Sequence, residues 1–159
     1  MSQAVVAKLK EAFPAAVGSV REHRGEWTVV VDRAQVVAVC RYLKEQAGYN
    51  FLCDLCGVDY LGRQPRFEVV YNLYNIATKE RLRLKVQVPE ADACVETVSG
   101  VWSTANWHER ECWDLLGIRF ANHPDLRRIL MPDNWQGHPL RKDYPLQGPG
   151  REPYQGRLS

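Results

Sequence analysis

The sequence predicts an α+β fold, with a mixed or antiparallel sheet packed by helices and followed by an extended, irregular C-terminal strap. Three observations lead to this class. Residues 80–88 alternate apolar and polar side chains, which is the period of a strand with one wet face. Residues 36–43 repeat apolar side chains at helical spacing. Beyond Gly117 repeated prolines exclude a long helix and any central strand.

The first elements follow from short-range signals. Residues 3–13 carry apolar side chains at helical spacing and predict the first helix. Two β-type runs flank Arg24-Gly25 and predict a hairpin. The helix over 36–43 comes next, and Gly48 suits its end because glycine accepts the left-handed conformation.

Three strand candidates follow. Residues 50–59 are largely apolar, so we expect this strand to be central in the sheet. Residues 66–75 and 80–88 alternate, so we expect one face of each to be buried. The side chains predicted to point inward are Phe67, Val69, Tyr71 and Leu73, and then Leu82, Leu84, Val86 and Val88.

The five cysteines predict free thiols in a reducing compartment, because the count is odd and no secretory signal is evident. Cys53 and Cys56 have the spacing of a metal or redox pair. In a regular strand, however, they point to opposite faces, and no helix start lies beside them to lower a thiol pKa. We therefore expect two inert, mostly buried thiols.

Residues 104–116 predict a helix with Ser103 or Thr104 as its N-cap. A rotation of about 100° per residue divides its side chains between two faces. Ala105, Glu109, Cys112, Trp113 and Leu116 share the apolar face, whereas Trp107, Arg110, Glu111 and Asp114 share the face expected to be wet.

Two side chains of this helix lie on a face that does not match their polarity. Glu109 lies within the apolar face, and a buried carboxylate must be paired or neutralised. We expect Arg119, Arg127 or Arg128 to pair with it. Trp107 lies among charges, so it either contacts a partner protein or stacks on an arginine.

The stretch that follows is rich in proline yet also in Leu, Ile, Trp and Tyr, so it is unlike a solvated tail. We predict a strap whose apolar and arginine side chains dock either on its own domain or on a partner. The chain then divides into an α+β domain over 1–103, the helix and partner-binding strap over 104–146, and a flexible tail over 147–159.

Several function classes find no support in the sequence. The net charge of +2 gives no reason to expect nucleic-acid binding. No apolar run is long enough for a direct membrane span, and no phosphate-binding glycine loop occurs. His108, His123 and His138 lack the i, i+4 spacing of a helical zinc site, and no nucleophile signature accompanies them. Because His123 and His138 each precede a proline, we expect them to hold backbone groups or to act as contact residues.

Two strings in this region carry a family likeness. They are ERECWDLLGIRFANHPDLRRIL over residues 109–130 and GHPLRKDYP over residues 137–145. Both resemble the signature blocks of one NADH-quinone oxidoreductase family, that of the bacterial C-type subunit of respiratory complex I. The J-type subunit of the plastid and cyanobacterial complexes is similar over the same blocks.

The resemblance implies a hydrophilic subunit of the peripheral arm, on the cytoplasmic side of the cell membrane, that is enzymatic only as part of the complex. It implies no flavin, iron–sulfur cluster or quinone in this chain; FMN, clusters and quinone are expected in partner subunits. The expected partners are the large quinone-site subunit of the D type, the cluster-bearing small subunit of the B type and the cluster-bearing subunit of the I type. A subunit of a related membrane-bound hydrogenase-type complex is the alternative.

Under this interpretation the charged side chains of residues 107–143 form an ion-pair lattice. Some pairs are expected to fix the strap onto the domain, and others to reach the partner. The candidate interface residues are Trp107, Glu109, Arg110, Glu111, Asp114, His123, Arg127, Arg128, Arg141, Lys142 and Asp143.

Overall fold

The computed structural model describes residues 2–146 and contains three α-helices and seven strands in that range. The helices are α1 (Ser2–Ala12), α2 (Val36–Glu45) and α3 (Ala105–Leu116). The strands are β1 (Val17–His23), β2 (Glu26–Val31), β3 (Phe51–Asp59), β4 (Phe67–Asn75), β5 (Glu80–Val88), β6 (Cys94–Glu96) and β7 (Arg119–Ala121). Single 3-10 turns cover Arg33–Gln35 and Glu90–Asp92.

The main sheet has five strands in the order β1-β2-β5-β4-β3. Strands β2 and β5 are parallel, and the other neighbours are antiparallel. Strands β6 and β7 form a separate two-stranded parallel sheet. The fold is therefore α+β with a mixed sheet, as the sequence predicted.

The core lies between one face of the main sheet and the helices. The predicted inward positions of β4 and β5 are all buried, because strict alternation in a half-covered strand assigns each side chain to a face. Val6 and Leu9 of α1 and Val39 and Leu43 of α2 close over the same face. Arg24 and Gly25 both have positive φ, which is the two-residue turn that the β1–β2 hairpin needs.

The prediction that the strand over 50–59 is central was wrong, because β3 is an edge strand of the main sheet. Its inward side chains Leu52 and Leu55 are buried and α3 packs against the strand, whereas Phe51 is 44% exposed. The contact is close at Gly57, where an added Cβ would collide with Leu116 Cδ1 and lie 2.8 Å from Cys112 Sγ. An apolar run indicates burial, which a covering helix supplies as well as a second neighbouring strand.

The expected burial of Cys53 and Cys56 was also wrong, because both residues are exposed. The β3–β4 register shifts between Leu52 and Asp54, so Cys53 occupies a bulge. A bulge interrupts the period-two alternation on which the prediction of opposite faces depended. All five cysteines are free thiols, as predicted.

Helix α3 begins after Thr104, whose side chain makes no capping hydrogen bond within residues 2–146, and it ends at Gly117. Gly117 has a φ of 74°, the left-handed conformation in which glycine is favoured. The chain then returns through β7 beside β6. The small sheet therefore pairs a strand that precedes α3 with the strand that follows it, and this pairing fixes the position of α3.

We predict that Gly57→Ala destabilises the chain by about 1–3 kcal/mol, since the new methyl group overpacks the β3–α3 contact. Urea unfolding of the full chain measures the effect. Gly100→Ala is the matched control, because an added Cβ there has no atom of the described residues within 4 Å. Equal stability of the two variants would show that α3 does not pack on β3 as described.

Candidate functional site

The chain after β7 folds back along α3 and over the end of β3. We call residues 122–146 the C-terminal segment; it contains turns and bends but no helix or strand. The sequence left open whether this segment docks on its own domain or on a partner. The structure shows extensive docking on its own domain, through two clusters of buried charges. The predicted flexible tail, residues 147–159, lies outside the described residues.

The first cluster centres on Asp114, which is completely buried near the end of α3. Its Oδ2 atom accepts hydrogen bonds from three successive amides, those of Ile129 (3.0 Å), Leu130 (2.9 Å) and Met131 (2.9 Å). Its Oδ1 atom accepts from Arg128 Nη1 at 2.5 Å. An irregular segment has no ladder of its own, so the carboxylate satisfies backbone groups that would otherwise be orphaned.

Arg128 and Arg110 bind the segment from opposite directions. Arg128 lies in the segment and donates through Nη2 to the carbonyl oxygens of Trp135 (2.8 Å) and Gly137 (3.1 Å). Arg110 lies in α3 and donates to the carbonyl oxygens of Arg127 (3.1 Å) and Arg128 (3.0 Å). Guanidinium groups suit this role because their N–H donors are fixed in a planar fork.

The expectation that Arg110 and Asp114 face water was wrong, since both are buried. The helical periodicity is correct, but the C-terminal segment covers the face that a two-face division assigns to solvent. Trp107 remains 60% exposed, and the Arg110 guanidinium lies 5.1 Å from the centre of its ring. Trp107 therefore stacks on an arginine, which was one of the two predicted alternatives, and most of its side chain is still exposed.

The segment also completes the C-terminal end of α3. The last carbonyl oxygens of a helix have no partner within the helix. Here Asp114 O accepts from His138 Nδ1 (2.9 Å), Leu115 O from the Leu140 amide (3.0 Å) and Leu116 O from Arg141 Nε (2.7 Å). The cationic side chain of Arg141 at this end also complements the helix dipole.

The second cluster centres on Arg66, a buried arginine just before β4. It binds Asp59 in a bidentate pair, with both N–O distances at 2.8 Å, and Asp143 in a second bidentate pair at 2.7 and 2.9 Å. A bond of 2.6 Å to Glu90 completes the set. All five N–H donors of the guanidinium are thus used.

The Arg66 cluster holds the far end of the C-terminal segment. Asp143 belongs to the segment, and the neighbouring Lys142 amide donates to Asp59 Oδ2 at 2.8 Å. Asp59 ends β3, whereas Arg66 immediately precedes β4. The segment is therefore fastened to α3 by the Asp114 cluster and to the β3–β4 loop by the Arg66 cluster.

These contacts hold the carboxylates in their ionised form. Burial raises the pKa of Asp114, but the amides of residues 129–131 and the Arg128 guanidinium outweigh burial and hold that pKa below its ordinary value. Hydrogen bonds from Arg66 lower the pKa of Asp59 and of Asp143 in the same way. Such groups stabilise the fold above their ordinary pKa, and that stabilisation is lost as the pH falls.

The prediction that an arginine pairs with Glu109 was wrong. Glu109 is fully buried, as its position on the apolar face implied. Its Oε1 atom accepts from the Val98 amide at 2.7 Å, and its Oε2 atom contacts the Thr97 hydroxyl. The imidazole nitrogen His123 Nε2 is 3.8 Å away. Two of the arginines expected here are committed elsewhere, because Arg128 pairs with Asp114 and Arg127 with Asp125.

Both histidines of the segment hold backbone groups, as predicted from their place before prolines. His123 Nε2 lies 3.1 Å from Asn106 O, and His123 Nδ1 accepts from the Asp125 amide at 3.0 Å. His138 contacts Asp114 O. Residues 2–146 contain no group of three or more His, Cys, Asp or Glu side chains that could hold a metal ion.

Part of the predicted lattice remains on the surface. Glu111 and Lys142 are exposed, and the Arg127 side chain is 71% exposed and pairs with Asp125. With Trp107, these side chains form the outer surface over α3 and the segment. Their predicted contact with a partner protein stays a prediction.

Sequence reasoning missed Arg66, Asp59 and Glu90. Their signal was weak: one arginine precedes a strongly apolar strand and one aspartate ends another. Neither feature indicates a partner without knowledge that β3 and β4 are neighbours. The sequence therefore identified Asp143 but not the arginine that binds it.

A cleft of about 320 Å³ opens at the sheet beside Trp27, Arg81 and Arg83. Arg83 donates to Asn72 and to Glu26, and Arg81 also lies 3.9 Å from Glu26. The arginine charges in this cleft are thus partly neutralised within the chain.

The fold and the two clusters define an α+β domain that carries a folded-back, ion-paired C-terminal segment. A family model described as respiratory-chain NADH dehydrogenase, 30 kDa subunit, matches residues 29–150. The chain belongs to this family, and the resemblance found in the sequence is confirmed.

Similar proteins include two that are named as the C-type subunit of NADH-quinone oxidoreductase. The one from Geobacter sulfurreducens is 65% identical, over 97% of this chain and 96% of its own. The one from Geotalea uraniireducens is 60% identical, over 97% and 94%.

Two solved structures share the fold. The trypsin-resistant fragment (1–134) of Nqo5 is 34% identical, covers 78% of this chain and 98% of its own, and has a TM-score of 0.69. A chain of the membrane-bound sulfane sulfur reductase, an archaeal respiratory membrane complex, is 23% identical. It covers 91% of this chain and 86% of its own with a TM-score of 0.78, and at this identity it shows the fold alone.

We predict that Arg66→Ala lowers the free energy of unfolding by about 3–5 kcal/mol, because it leaves Asp59 buried without its partner. Chemical unfolding of the full chain measures the loss, and Arg63→Ala at an exposed site of the same loop is the control. As the pH falls below 3.8, the ordinary pKa of Asp59 and Asp143, the variant should also lose less stability than wild type, because Arg66 no longer lowers the pKa of these two groups. An unchanged acid profile would contradict the role of Arg66.

We predict that Asp143→Ala releases the end of the C-terminal segment without unfolding the sheet. Hydrogen exchange of the peptide over 136–146 should become several-fold faster, because the Arg66 pair no longer holds it. Exchange in β4 and β5 should stay as in wild type. Asp133→Ala is the matched control, since Asp133 is an exposed aspartate of the same segment. Equal exchange in both variants would show that the Asp143 pair does not hold the segment.

Proposed function

We propose that the chain is a hydrophilic subunit of the peripheral arm of an NADH:quinone oxidoreductase. Membership of the 30 kDa subunit family over residues 29–150 carries this proposal. The names of relatives that match nearly the whole chain support it. The proposed contribution to electron transfer from NADH to quinone is structural: the chain holds partner subunits in position and acts enzymatically only within the complex.

The proposed partners are the large quinone-site subunit of the D type and the cluster-bearing subunits of the B and I types. The surface that supports binding is the one over α3 and the C-terminal segment. It combines an exposed tryptophan with charged side chains, and tryptophan and arginine are enriched at interface hot spots. Because the clusters beneath already order the segment, little conformational entropy remains to be lost on binding.

We further propose that FMN, iron–sulfur clusters and quinone belong to partner subunits. The distribution of the thiols supports this. The five cysteines lie on α2, β3, β6 and α3, and Cys40 and Cys112 are buried in the core. Burial raises the pKa of both buried thiols, which disfavours the thiolate form that ligates iron.

The proposed location is the cytoplasmic side of the cell membrane, where the chain is held peripherally through its partners. None of the helices within residues 2–146 is both long enough and apolar enough to cross a bilayer. Attachment would therefore come from the complex into which the chain is built. Fractionation of cells with and without the large quinone-site subunit tests this location.

We predict that Arg127→Ala combined with Trp107→Ala lowers the amount of assembled peripheral arm. The two side chains are largely exposed, so the isolated chain should keep its unfolding free energy to within about 0.5 kcal/mol. Native gels of membrane extracts, with the purified chain unfolded in parallel, separate assembly from folding. Arg141→Ala is less suited to this test, because Arg141 binds Leu116 O within the chain.

Arg81→Ala is the matched control, because Arg81 is equally exposed but lies on the main sheet away from the segment. Its complex abundance should equal wild type. Normal abundance of the double variant with lost quinone reduction would overturn the structural role and indicate a catalytic one. Normal abundance with normal activity would remove this surface from the interface.

A further inference from the structure

Glu109 stands apart from the other buried carboxylates because no Lys or Arg side chain among residues 2–146 forms an ion pair with it. Its polar contacts are the Val98 amide, the Thr97 hydroxyl and His123 Nε2 at 3.8 Å. Asp114, which is equally buried, receives a guanidinium and three amides. Helix α3 thus carries one buried carboxyl, Asp114, whose negative charge is balanced by a guanidinium, and another, Glu109, whose negative charge is not balanced by any Lys or Arg among the described residues.

His123 does not supply the missing positive charge. Its Nδ1 atom accepts the Asp125 amide hydrogen, so that nitrogen carries no proton. Its Nε2–H group points to Asn106 O at 3.1 Å. An imidazole that accepts at one nitrogen and donates at the other is neutral.

The other ionisable groups that the charge of Glu109 affects are buried and neutral. They are the Cys40 thiol of α2, the Tyr71 phenol of β4 and the Cys112 thiol of α3. Burial is the largest cause that raises the pKa of each of these groups, and the negative charge of Glu109 is a smaller one. The Tyr71 hydroxyl is buried and has no hydrogen-bond partner among the described residues. A carboxylate placed among these groups would be poorly solvated, and burial raises the pKa of Glu109 to about 7, although the Thr97 and Val98 hydrogen bonds oppose the rise.

A line of hydroxyl groups leads from this carboxyl toward the surface. Thr97 Oγ1 contacts Glu109 Oε2 on one side and lies 2.8 Å from Ser99 Oγ on the other. Ser99 is half-buried and precedes the exposed Gly100. Hydroxyl groups can donate and accept at once, so three oxygen atoms in hydrogen-bond contact can pass a proton along.

We infer that Glu109, Thr97 and Ser99 form a proton-binding site, in which the buried carboxyl carries a proton that it exchanges with solvent through the two hydroxyl groups. On release, the Glu109 O–H bond breaks as Thr97 Oγ1 takes the proton. Thr97 passes its own hydrogen to Ser99, and Ser99 passes its own to water. One proton leaves, a carboxylate remains, and no other reactant is needed.

Proton release has a defined effect on stability. The pKa of Glu109 is raised from 4.5 to about 7 in the folded chain, so between these values the folded chain binds a proton that the unfolded chain has lost. The free energy of unfolding therefore falls as the pH rises through this interval and levels off above it. This is the opposite sign to the effect of Asp59, Asp114 and Asp143. The inference is independent of the proposed function.

Infrared spectroscopy of the full chain tests the site directly, because a protonated carboxyl has its own carbonyl stretching band. Ordinary carboxylates are ionised at about pH 6. We expect a protonated-carboxyl band near this pH that disappears about two pH units above it in wild type and is absent in Glu109→Gln. No such band in wild type, or a band that survives Glu109→Gln, would overturn the inference. Absence of the band in wild type overturns the inference even if the variant does not fold.

Two further measurements test the consequences. Glu109→Gln can keep both hydrogen bonds, since its amide oxygen accepts from Val98 and its NH2 group donates to Thr97. It should therefore lose the fall in stability between pH 4.5 and 7 seen in wild type. Thr97→Val should slow the exchange of the carboxyl hydrogen for deuterium relative to Thr97→Ser, which keeps a hydroxyl. Equal exchange rates in these two variants would refute the relay, and a persistent pH dependence in Glu109→Gln would refute the assignment to Glu109.

Discussion

The constraint on which this structure depends is the burial of Asp114 at the end of α3. A carboxylate without water needs donors from the protein, and the C-terminal segment supplies a guanidinium and three amides. The segment in turn forms no helix or strand, so its own backbone groups need partners. Helix and segment thus satisfy each other: the segment gives amides to the carboxylate and donors to the last carbonyl oxygens of the helix.

Arg66 extends the same principle to the other end of the segment. Two bidentate pairs around one guanidinium fix both distance and orientation, which a lysine could not do. Because Asp59 is buried and Asp143 is half-exposed, the cluster joins the core of the sheet to the outer layer. The exposed face of the segment is consequently carried on a rigid base. A stretch without regular structure can thereby hold a defined surface, as the proposed binding of partner subunits requires.

Much of the fold and of the candidate site could be predicted from the sequence. The features that could not be predicted have a common cause. The alternation in β4 and β5 and the positive φ at Gly48 after α2 are local properties, visible in a few neighbouring residues. The edge position of β3, the bulge at Cys53 and the partner of Asp143 depend on residues distant in the chain. The two-face division of α3 failed at Arg110 and Asp114 because it assumes water wherever the core is absent. The likeness of residues 109–130 to a known family identified the site, but not its internal bonding.

Glu109 and Asp114 show why a motif does not by itself assign a charge state. Both are carboxyls of one helix, five positions apart, and both are fully buried. Their environments differ in the charge and number of donors, and the direction of each pKa follows from that difference. A guanidinium and three amides stabilise the ionised form of Asp114, whereas one amide and one hydroxyl cannot offset the burial of Glu109. The first carboxyl therefore serves as a fixed anion that orders the segment, and the second is suited to bind and release a proton.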